Sequence, residues 1–246
     1  MKTFRFFLMT VGVVCATMTL QSCLDDDDNE WNLRYPNALV TVKPVGDNSF
    51  FLQLDDSTTL LPVNVKSPLF GNKEVRALAN LKEVDKPSEG YDKAVYINWI
   101  DSILTKQIAP DKGADNDSIY GTDAVEIIAD WVTIAEDGYL TLRFRTIYGD
   151  YGKKHYINLL RGSDPANPFE VEFRHNANGD TYGREAYGIV AFNLNSLPDT
   201  EGKTVKLKLK WKSPSGDKSA TFDYCTRKST TGKSSIADER STLNMK

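Results

Sequence analysis

The sequence is poor in histidine and cysteine, with 2 histidines and 3 cysteines among 246 residues. A zinc site usually needs three or four ligands at recognisable spacings, and the chain has no Cys-x-x-Cys or His-Glu-x-x-His motif. It also lacks a Gly-x-Ser-x-Gly motif and a glycine-rich phosphate loop after a predicted strand. We therefore expect no metal, no cofactor and no catalytic residues. A scattered Ser–His–Asp triad, or a carboxylate pair drawn from Asp137, Asp150 and Glu185, leaves an envelope glycan or peptide hydrolase as the alternative.

The sequence also has fewer basic than acidic residues. Lysine and arginine total 30 against 34 aspartates and glutamates, a formal net charge of −4. Removal of an amino-terminal segment that contains Lys2 and Arg5 makes the balance more acidic still. Nucleic-acid binders usually carry a clustered basic footprint, so we expect no nucleic-acid partner.

The amino terminus has the pattern of a bacterial lipoprotein signal. Lys2 and Arg5 precede a short apolar run from Phe6 to Met18, which is shorter than the roughly 20 residues of a membrane-spanning helix. The run leads to Leu20-Gln21-Ser22-Cys23, which resembles a lipobox, so residues 1–22 are predicted to be cleaved and Cys23 to carry the lipid. Two or more acyl chains hold a protein firmly on a membrane. The alternative is an ordinary signal peptide in which Cys23 is incidental.

An acidic block follows Cys23 directly. Asp25-Asp26-Asp27-Asp28 cannot pack together because the carboxylates repel one another, so residues 23–35 are predicted to be a solvated tether. Such a block resembles the export signal of surface-exposed lipoproteins, which places the chain on the outer membrane, facing the cell exterior. Calcium binding is the alternative, but the run lacks the glycine and the distal glutamate of a calcium loop.

The rest of the chain lacks a sustained helical period and shows short strand-like runs between turn residues, which predicts an all-β protein. Five runs in residues 36–110 fit a small OB-type barrel, although the run around Tyr96–Ile100 leaves a short helix open. A polar linker is expected over 111–122, seven strands of a β-sandwich over 123–228 and a disordered tail over 229–246. Asp137-Gly138 and Asn178-Gly179 are predicted hairpin turns. The predicted strands are Ala38–Lys43, Phe50–Leu54, Thr58–Val65, Glu74–Val84, Lys93–Gln107, Val125–Ala135, Tyr139–Ile147, His155–Leu160, Phe169–His175, Arg184–Leu194, Thr204–Lys212 and Ser219–Thr226.

One strand carries a row of lysines. Val205, Leu207, Leu209 and Trp211 alternate with Lys206, Lys208, Lys210 and Lys212, so one face is apolar and the other charged. The row favours a solvated or guarded face. A surface for an anionic ligand is the alternative.

Tyrosine followed by glycine occurs five times, once in the predicted linker and four times beyond it. Tyrosine gives a stiff amphipathic face and glycine lets the backbone bend beside it, which suits binding of sugars or a protein partner. The alternative is that both residues are common in the turns of β-sandwiches. The residues proposed to bind a ligand are Tyr148, Tyr151, Tyr156, Tyr182 and Tyr187.

The lipobox, the acidic tether, the predicted barrel and the predicted sandwich, in this order, resemble the NigD-like lipoproteins over roughly residues 31–228. The resemblance implies an amino-terminal OB domain and a carboxy-terminal β-sandwich. It implies no catalytic residues, and an immunity-type role follows from the association of the family with bacteriocin loci. We therefore expect a non-catalytic module that binds a glycan or a protein.

Overall fold

The computed structural model describes residues 33–227 and 244–245, and it is an all-β protein, as predicted. Cys23, the predicted signal peptide and most of the predicted tether and tail lie outside these residues. The strands are β1 Ala38–Val45, β2 Ser49–Gln53, β3 Thr59–Pro62, β4 Leu69–Asn72, β5 Val75–Glu83, β6 Lys93–Ser102, β7 Leu104–Gln107, β8 Glu126–Ile128, β9 Ile134–Glu136, β10 Tyr139–Tyr148, β11 Tyr156–Arg161, β12 Glu170–Asn176, β13 Arg184–Asn193, β14 Val205–Ser213, β15 Gly216–Tyr224 and β16 Asn244–Met245. A 3-10 turn, Gly113–Asp115, leads into the short helix α1, Asn116–Tyr120.

The first five-stranded unit is a closed barrel in the order β1-β2-β3-β6-β5. Alternate residues of these strands point inward and form the barrel core, which includes Val40, Leu52 and Val95. The confirmed barrel contains four of the predicted strands at nearly their predicted positions. The fifth prediction, Lys93–Gln107, is wrong in its extent because the chain breaks at Ile103, and no helix forms around Trp99.

The second unit is a sandwich of two sheets. Sheet I has the order β7-β13-β10-β8, with β9 also paired to β10, and sheet II has the order β11-β12-β14-β15-β16. Strand β7 runs parallel to β13, with Val190 opposite Leu104, so the segment that follows the barrel already belongs to sheet I. The buried faces of both sheets form one core, which includes Leu142, Phe192 and Leu209.

Turn chemistry distinguishes the two predicted hairpins. Asp137 and Gly138 both have positive φ, 48° and 74°, and they join the paired strands β9 and β10, as a hairpin turn requires. Asn178 and Gly179 also have positive φ, 51° and 76°, but the prediction of a hairpin there is wrong. Strands β12 and β13 lie in different sheets, so this turn crosses from sheet II to sheet I.

Barrel and sandwich are joined by a buried polar contact. Arg76 of β5 is 0% exposed, and its Nη2 lies 2.8 Å from Oε1 of Glu136 on β9. Its Nη1 donates to Oγ1 of Thr41 at 3.0 Å. Around this ion pair an apolar cluster that includes Leu39, Ile134 and Tyr139 excludes water from the interface. A buried ion pair of this kind fixes the relative position of the two units because either charge alone would be costly to bury.

A second ion-pair group closes the edge of the same interface. Arg227 contacts Glu74 at 2.6 Å, and the Tyr139 hydroxyl donates to the same carboxylate at 2.7 Å. Burial, reinforced by the hydrogen bond to Glu74, raises the pKa of Tyr139 to about 12, so its hydroxyl stays protonated and donates. Among the residues that the structure describes, no helix is long and apolar enough to cross a membrane.

Candidate functional site at the tyrosine end of the sandwich

Two of the predicted tyrosine segments meet at one end of the sandwich. The backbone N–H groups of Gly149 and Asp150 donate to Oδ2 of Asp180 at 3.0 and 3.1 Å. Asp180 is 5% exposed, and these hydrogen bonds lower its carboxyl pKa, so the carboxylate is ionised at neutral pH. We name the loops 148–152 and 180–183 the tyrosine end. Its two loops are held together by one buried carboxylate.

Close backbone contact at the tyrosine end explains its glycines. A Cβ on Gly149 would lie 2.1 Å from the carbonyl oxygen of Tyr182, and a Cβ on Gly183 would lie 2.5 Å from the carbonyl oxygen of Tyr148. Gly183 also has a φ of +147°, which side chains rarely tolerate. Glycine therefore lets the two loops touch through their backbones.

Two other Tyr-Gly pairs have a similar packing reason. A Cβ on Gly121 would lie 2.5 Å from the carbonyl oxygen of His175, and a Cβ on Gly188 would lie 2.5 Å from the Phe144 ring. At these positions the glycine of the repeat is required by packing. Any recognition role of the repeat therefore rests on its tyrosines.

The tyrosines of the end itself are presented to solvent. Tyr151 is 81% exposed and Tyr182 is 86% exposed, the two largest exposed fractions among the large hydrophobic side chains of the described residues. Tyr148 is half-buried, and its ring lies edge-on to the Tyr151 ring at 5.5 Å between centroids. The structure thus brings Tyr148 and Tyr151 together beside the backbone of Tyr182.

The other two predicted tyrosines lie elsewhere. Tyr187 of β13 alternates with the core residue Val190 and so faces outward from sheet I, where Arg143 lies over its ring at 5.4 Å. Tyr156 opens β11, where Ile157 faces the core, so Tyr156 faces outward from sheet II. The two rings are exposed, but alternation along their strands places them on opposite outer faces of the sandwich. They do not share one surface.

A chain of hydrogen bonds that the sequence did not suggest lies beneath the tyrosine end. Both histidines take part: His155 Nε2 lies 3.1 Å from Oδ2 of Asp180, and His155 Nδ1 lies 2.9 Å from Nε2 of His175. Because ionised Asp180 can only accept, His155 Nε2 donates to it, and Nδ1 is left to share a hydrogen bond with His175. The Tyr148 ring packs on His155 at 5.0 Å. The sequence did hold one indication of this chain: His155 begins one predicted strand and His175 ends the next. In the structure these two strands pair in sheet II.

Burial keeps His175 neutral. The side chain is 2% exposed, and desolvation, reinforced by the neighbouring His155, lowers its pKa to about 4. Its Nδ1 has no hydrogen-bond partner among the described residues. The His155–His175–Asp180 chain therefore supports the two loops through hydrogen bonds that end on one carboxylate.

Within the described residues, His155 and His175 do not form a Ser–His–Asp triad. Both ring nitrogens of His155 are already engaged, and no hydroxyl or thiol is bonded to either imidazole. Of the carboxyls considered for glycoside hydrolysis, Asp137 is held by Lys43 at 2.8 Å in the barrel interface, whereas Glu185 pairs with Arg145 at 3.2 Å on sheet I. No group of three metal-ligating side chains is found in this part of the chain.

One solvent-exposed aspartate, Asp56, has a raised pKa. Partial desolvation of its carboxyl shifts the pKa upward, and its Oδ1 accepts from the backbone N–H of Asp137 at 2.6 Å. This hydrogen bond ties a barrel loop to the β9–β10 turn. The role of Asp56 is therefore accounted for by the interface.

A groove of about 740 Å³ lies on sheet II, and Lys208, Lys210 and Lys212 of the predicted lysine row line it. Lys208 and Lys210 both pair with Glu170, at 3.2 and 2.5 Å, and Lys206 pairs with Asp223. Because three of the four lysines are already paired with carboxylates, the row matches a solvated face better than a binding site for an anion.

With the fold and the site in view, the chain can be placed by comparison. The model of the NigD-like N-terminal OB domain matches residues 39–103, and that of the NigD-like C-terminal beta sandwich domain matches residues 107–224. The chain therefore belongs to the NigD-like family, and the resemblance inferred from the sequence is confirmed. Among curated proteins, none matches.

Solved structures of several Bacteroidales proteins are similar. A protein of Parabacteroides distasonis ATCC 8503 named as toxin-related is 39% identical, with a TM-score of 0.65 over 76% of this chain and 92% of its own. A NigD-like immunity protein of Bacteroides caccae ATCC 43185 is 20% identical, with a TM-score of 0.55 over 76% and 96%. A protein of Bacteroides fragilis NCTC 9343 named as a lipoprotein is 12% identical, with a TM-score of 0.51 over 78% and 98%. The last two show a shared fold.

Proposed function

We propose that this chain is a lipoprotein, anchored through Cys23 to the outer membrane and facing the cell exterior. In this proposal it is a non-catalytic module that binds a protein ligand through the tyrosine end. Immunity against a secreted toxin is the role that fits such a protein, because similar structures carry the names of a toxin-related protein and an immunity protein.

The observation that carries the proposal is the display of Tyr151 and Tyr182 on a fixed backbone. Both rings are more than four-fifths exposed, while their loops are held by Asp180 and by the contact of Gly149 with Tyr182. Tyrosine supplies a large amphipathic contact at low conformational cost, and fixed loops lose little further entropy on binding. Two such rings at one end provide the aromatic anchors typical of protein hot spots.

Binding can be tested with the mature chain, its anchor removed by Cys23→Ser. Concentrated culture-medium proteins from Bacteroides and Parabacteroides strains, the genera of the structural relatives, and a glycan array serve as the two ligand pools. The Tyr151→Ala/Tyr182→Ala variant is expected to lose most of the binding. Tyr187→Ala removes a ring that is 56% exposed on sheet I, and this variant is expected to retain the binding.

The two pools separate the outcomes. Retention of a defined secreted protein, lost in the double variant and kept in Tyr187→Ala, supports the proposal. Binding confined to the glycan array would identify a sugar-binding module instead. Equal binding by the double variant and Tyr187→Ala would remove the tyrosine end as the binding surface.

The anchor is tested separately in cells. Cys23→Ala is expected to abolish labelling with radioactive palmitate and to release the protein from the membrane fraction, because the thiol that takes up lipid is gone. A variant that remains in the membrane fraction after its signal has been removed would show that the lipoprotein assignment is wrong.

A further inference from the structure

The barrel exposes an aromatic patch where the described chain enters it. Leu33 is 43% exposed, Tyr35 59% and Tyr96 45%, and Trp99 of β6 is half-buried beside them. We name these four residues the entry patch. It belongs to the barrel and takes no part in the tyrosine end.

Hydrogen bonds fix the entering segment against the barrel wall. Trp99 Nε1 donates to the carbonyl oxygen of Leu33 at 2.5 Å, and Asn80 Nδ2 donates to that of Tyr35 at 2.7 Å. Asn37 exchanges two hydrogen bonds with the backbone of Leu81, at 2.8 and 2.9 Å. Leu33 and Tyr35 are therefore held against β5 and β6, and Tyr96 lies on the same strand as Trp99, three residues before it.

The chain length between Cys23 and the patch limits how far the two can separate. Ten residue steps join Cys23 to Leu33 in the sequence. Fully extended, they span at most about 34 Å, since each residue adds at most roughly 3.4 Å. A flexible chain of this length has a root-mean-square span of about 18 Å. A lipid on Cys23 would hold the entry patch within this distance of the membrane surface.

We propose that the entry patch rests in the headgroup region of the membrane that carries the anchor, so that the barrel lies on the membrane. This inference rests on the proposed anchorage through Cys23. Tryptophan and tyrosine favour the membrane interface because their apolar rings and polar tips match the boundary between acyl chains and headgroups. Exposed Lys82, which is paired with Tyr96 across β5 and β6, adds a cation beside the rings.

Tryptophan quenching by brominated lipid tests the contact. The mature chain with Cys225→Ser, and with Trp31→Phe to remove the tryptophan next to the anchor, is coupled through the Cys23 thiol to a maleimide lipid, in phosphatidylcholine–phosphatidylethanolamine vesicles brominated near the headgroup. Coupling makes the test independent of lipidation in the cell, which the palmitate experiment reports. We expect Trp99→Phe to lose most of the quenching. Trp131→Phe is the matched control, because Trp131 is 39% exposed but lies in the sandwich unit, and it is expected to leave the quenching unchanged.

The outcomes decide the proposal in either direction. Quenching that is lost in Trp99→Phe, kept in Trp131→Phe and weakened by Tyr35→Ser/Tyr96→Ser supports contact between patch and lipid. Quenching that Trp99→Phe leaves unchanged would show that the patch stays clear of the lipid, and the proposal would be wrong even if palmitate labelling confirms the anchor. If Cys23 is not labelled with palmitate in cells but the coupled chain is still quenched through Trp99, the proposed anchor is wrong. The contact of the entry patch with lipid is then supported on its own.

Discussion

The neutral state of buried His175 makes stability depend on pH. In the unfolded chain its pKa is near 6.5, and in the folded chain burial lowers the pKa to about 4. Above pH 6.5 the imidazole of His175 is neutral in both the folded and the unfolded chain, so it adds no pH dependence to the free energy of unfolding there. As the pH falls from 6.5 towards 4, the unfolded chain takes up a proton that the folded chain refuses, and the free energy of unfolding decreases. The full difference amounts to about 3 kcal/mol.

The matched variant for this prediction is His175→Gln, which keeps a side-chain N–H for His155 but cannot titrate in this range. The groups that face His175 are His155, which lowers its pKa, and Asp123, which raises it, and both remain in the variant. Urea unfolding at pH 7.5, 6, 5 and 4 gives the free energy of unfolding of both proteins. We expect wild type to lose about 3 kcal/mol more than the variant between pH 7.5 and pH 4. A difference between the two proteins that stays constant with pH would refute the assignment of a neutral, buried His175.

Three further predictions follow from the same structure. Gly149→Ala forces a Cβ to within 2.1 Å of the Tyr182 carbonyl oxygen, so we expect a loss of about 1–3 kcal/mol in urea unfolding, and an unchanged midpoint would contradict the close contact. Arg76→Ala removes the buried guanidinium that pairs with Glu136 and should cost about 3–5 kcal/mol, of which Arg76→Met/Glu136→Gln recovers a large part; equal losses in both would argue against the ion pair. Replacing Asp25–Asp28 with alanine should keep the lipid but lower cleavage by added protease at the cell surface, and unchanged cleavage would make the acidic block a spacer.

The sequence was most informative where one local rule decides the structure. Alternation along β14 predicted its buried and charged faces, and the Asp-Gly turn predicted the β9–β10 hairpin, because both features depend on near neighbours. The Asn178-Gly179 turn carries the same local signal but joins two sheets. Local turn chemistry fixes the backbone angles and not the partner of the next strand.

The extent of the barrel could not be read from composition. Only Ile103 separates β6 from β7, and no proline or glycine stands at the break, so no turn signal marks the change from barrel to sheet I. The separation is made by pairing of Leu104 with Val190, which lies 86 residues further along the chain. The polar stretch after β7 marks a surface connection.

The candidate site shows the same limit. Tyrosines next to glycines were recognised from the sequence, but alternation along β11 and β13 divides Tyr156 from Tyr187. The His155–His175–Asp180 chain joins residues from β12 and from the loops beside β11 and β13, so it depends on contacts between sheets. Only the three-dimensional arrangement shows that one carboxylate holds both tyrosine loops.

Hydrogen–deuterium exchange on the mature chain, with and without its bound protein ligand, measures the proposed binding surface most directly. The account predicts slower exchange in the loops 148–152 and 180–183 on binding, with the sheet II groove and the barrel unchanged. Protection confined to the groove or the barrel, with both tyrosine loops exchanging as in the free protein, would contradict it.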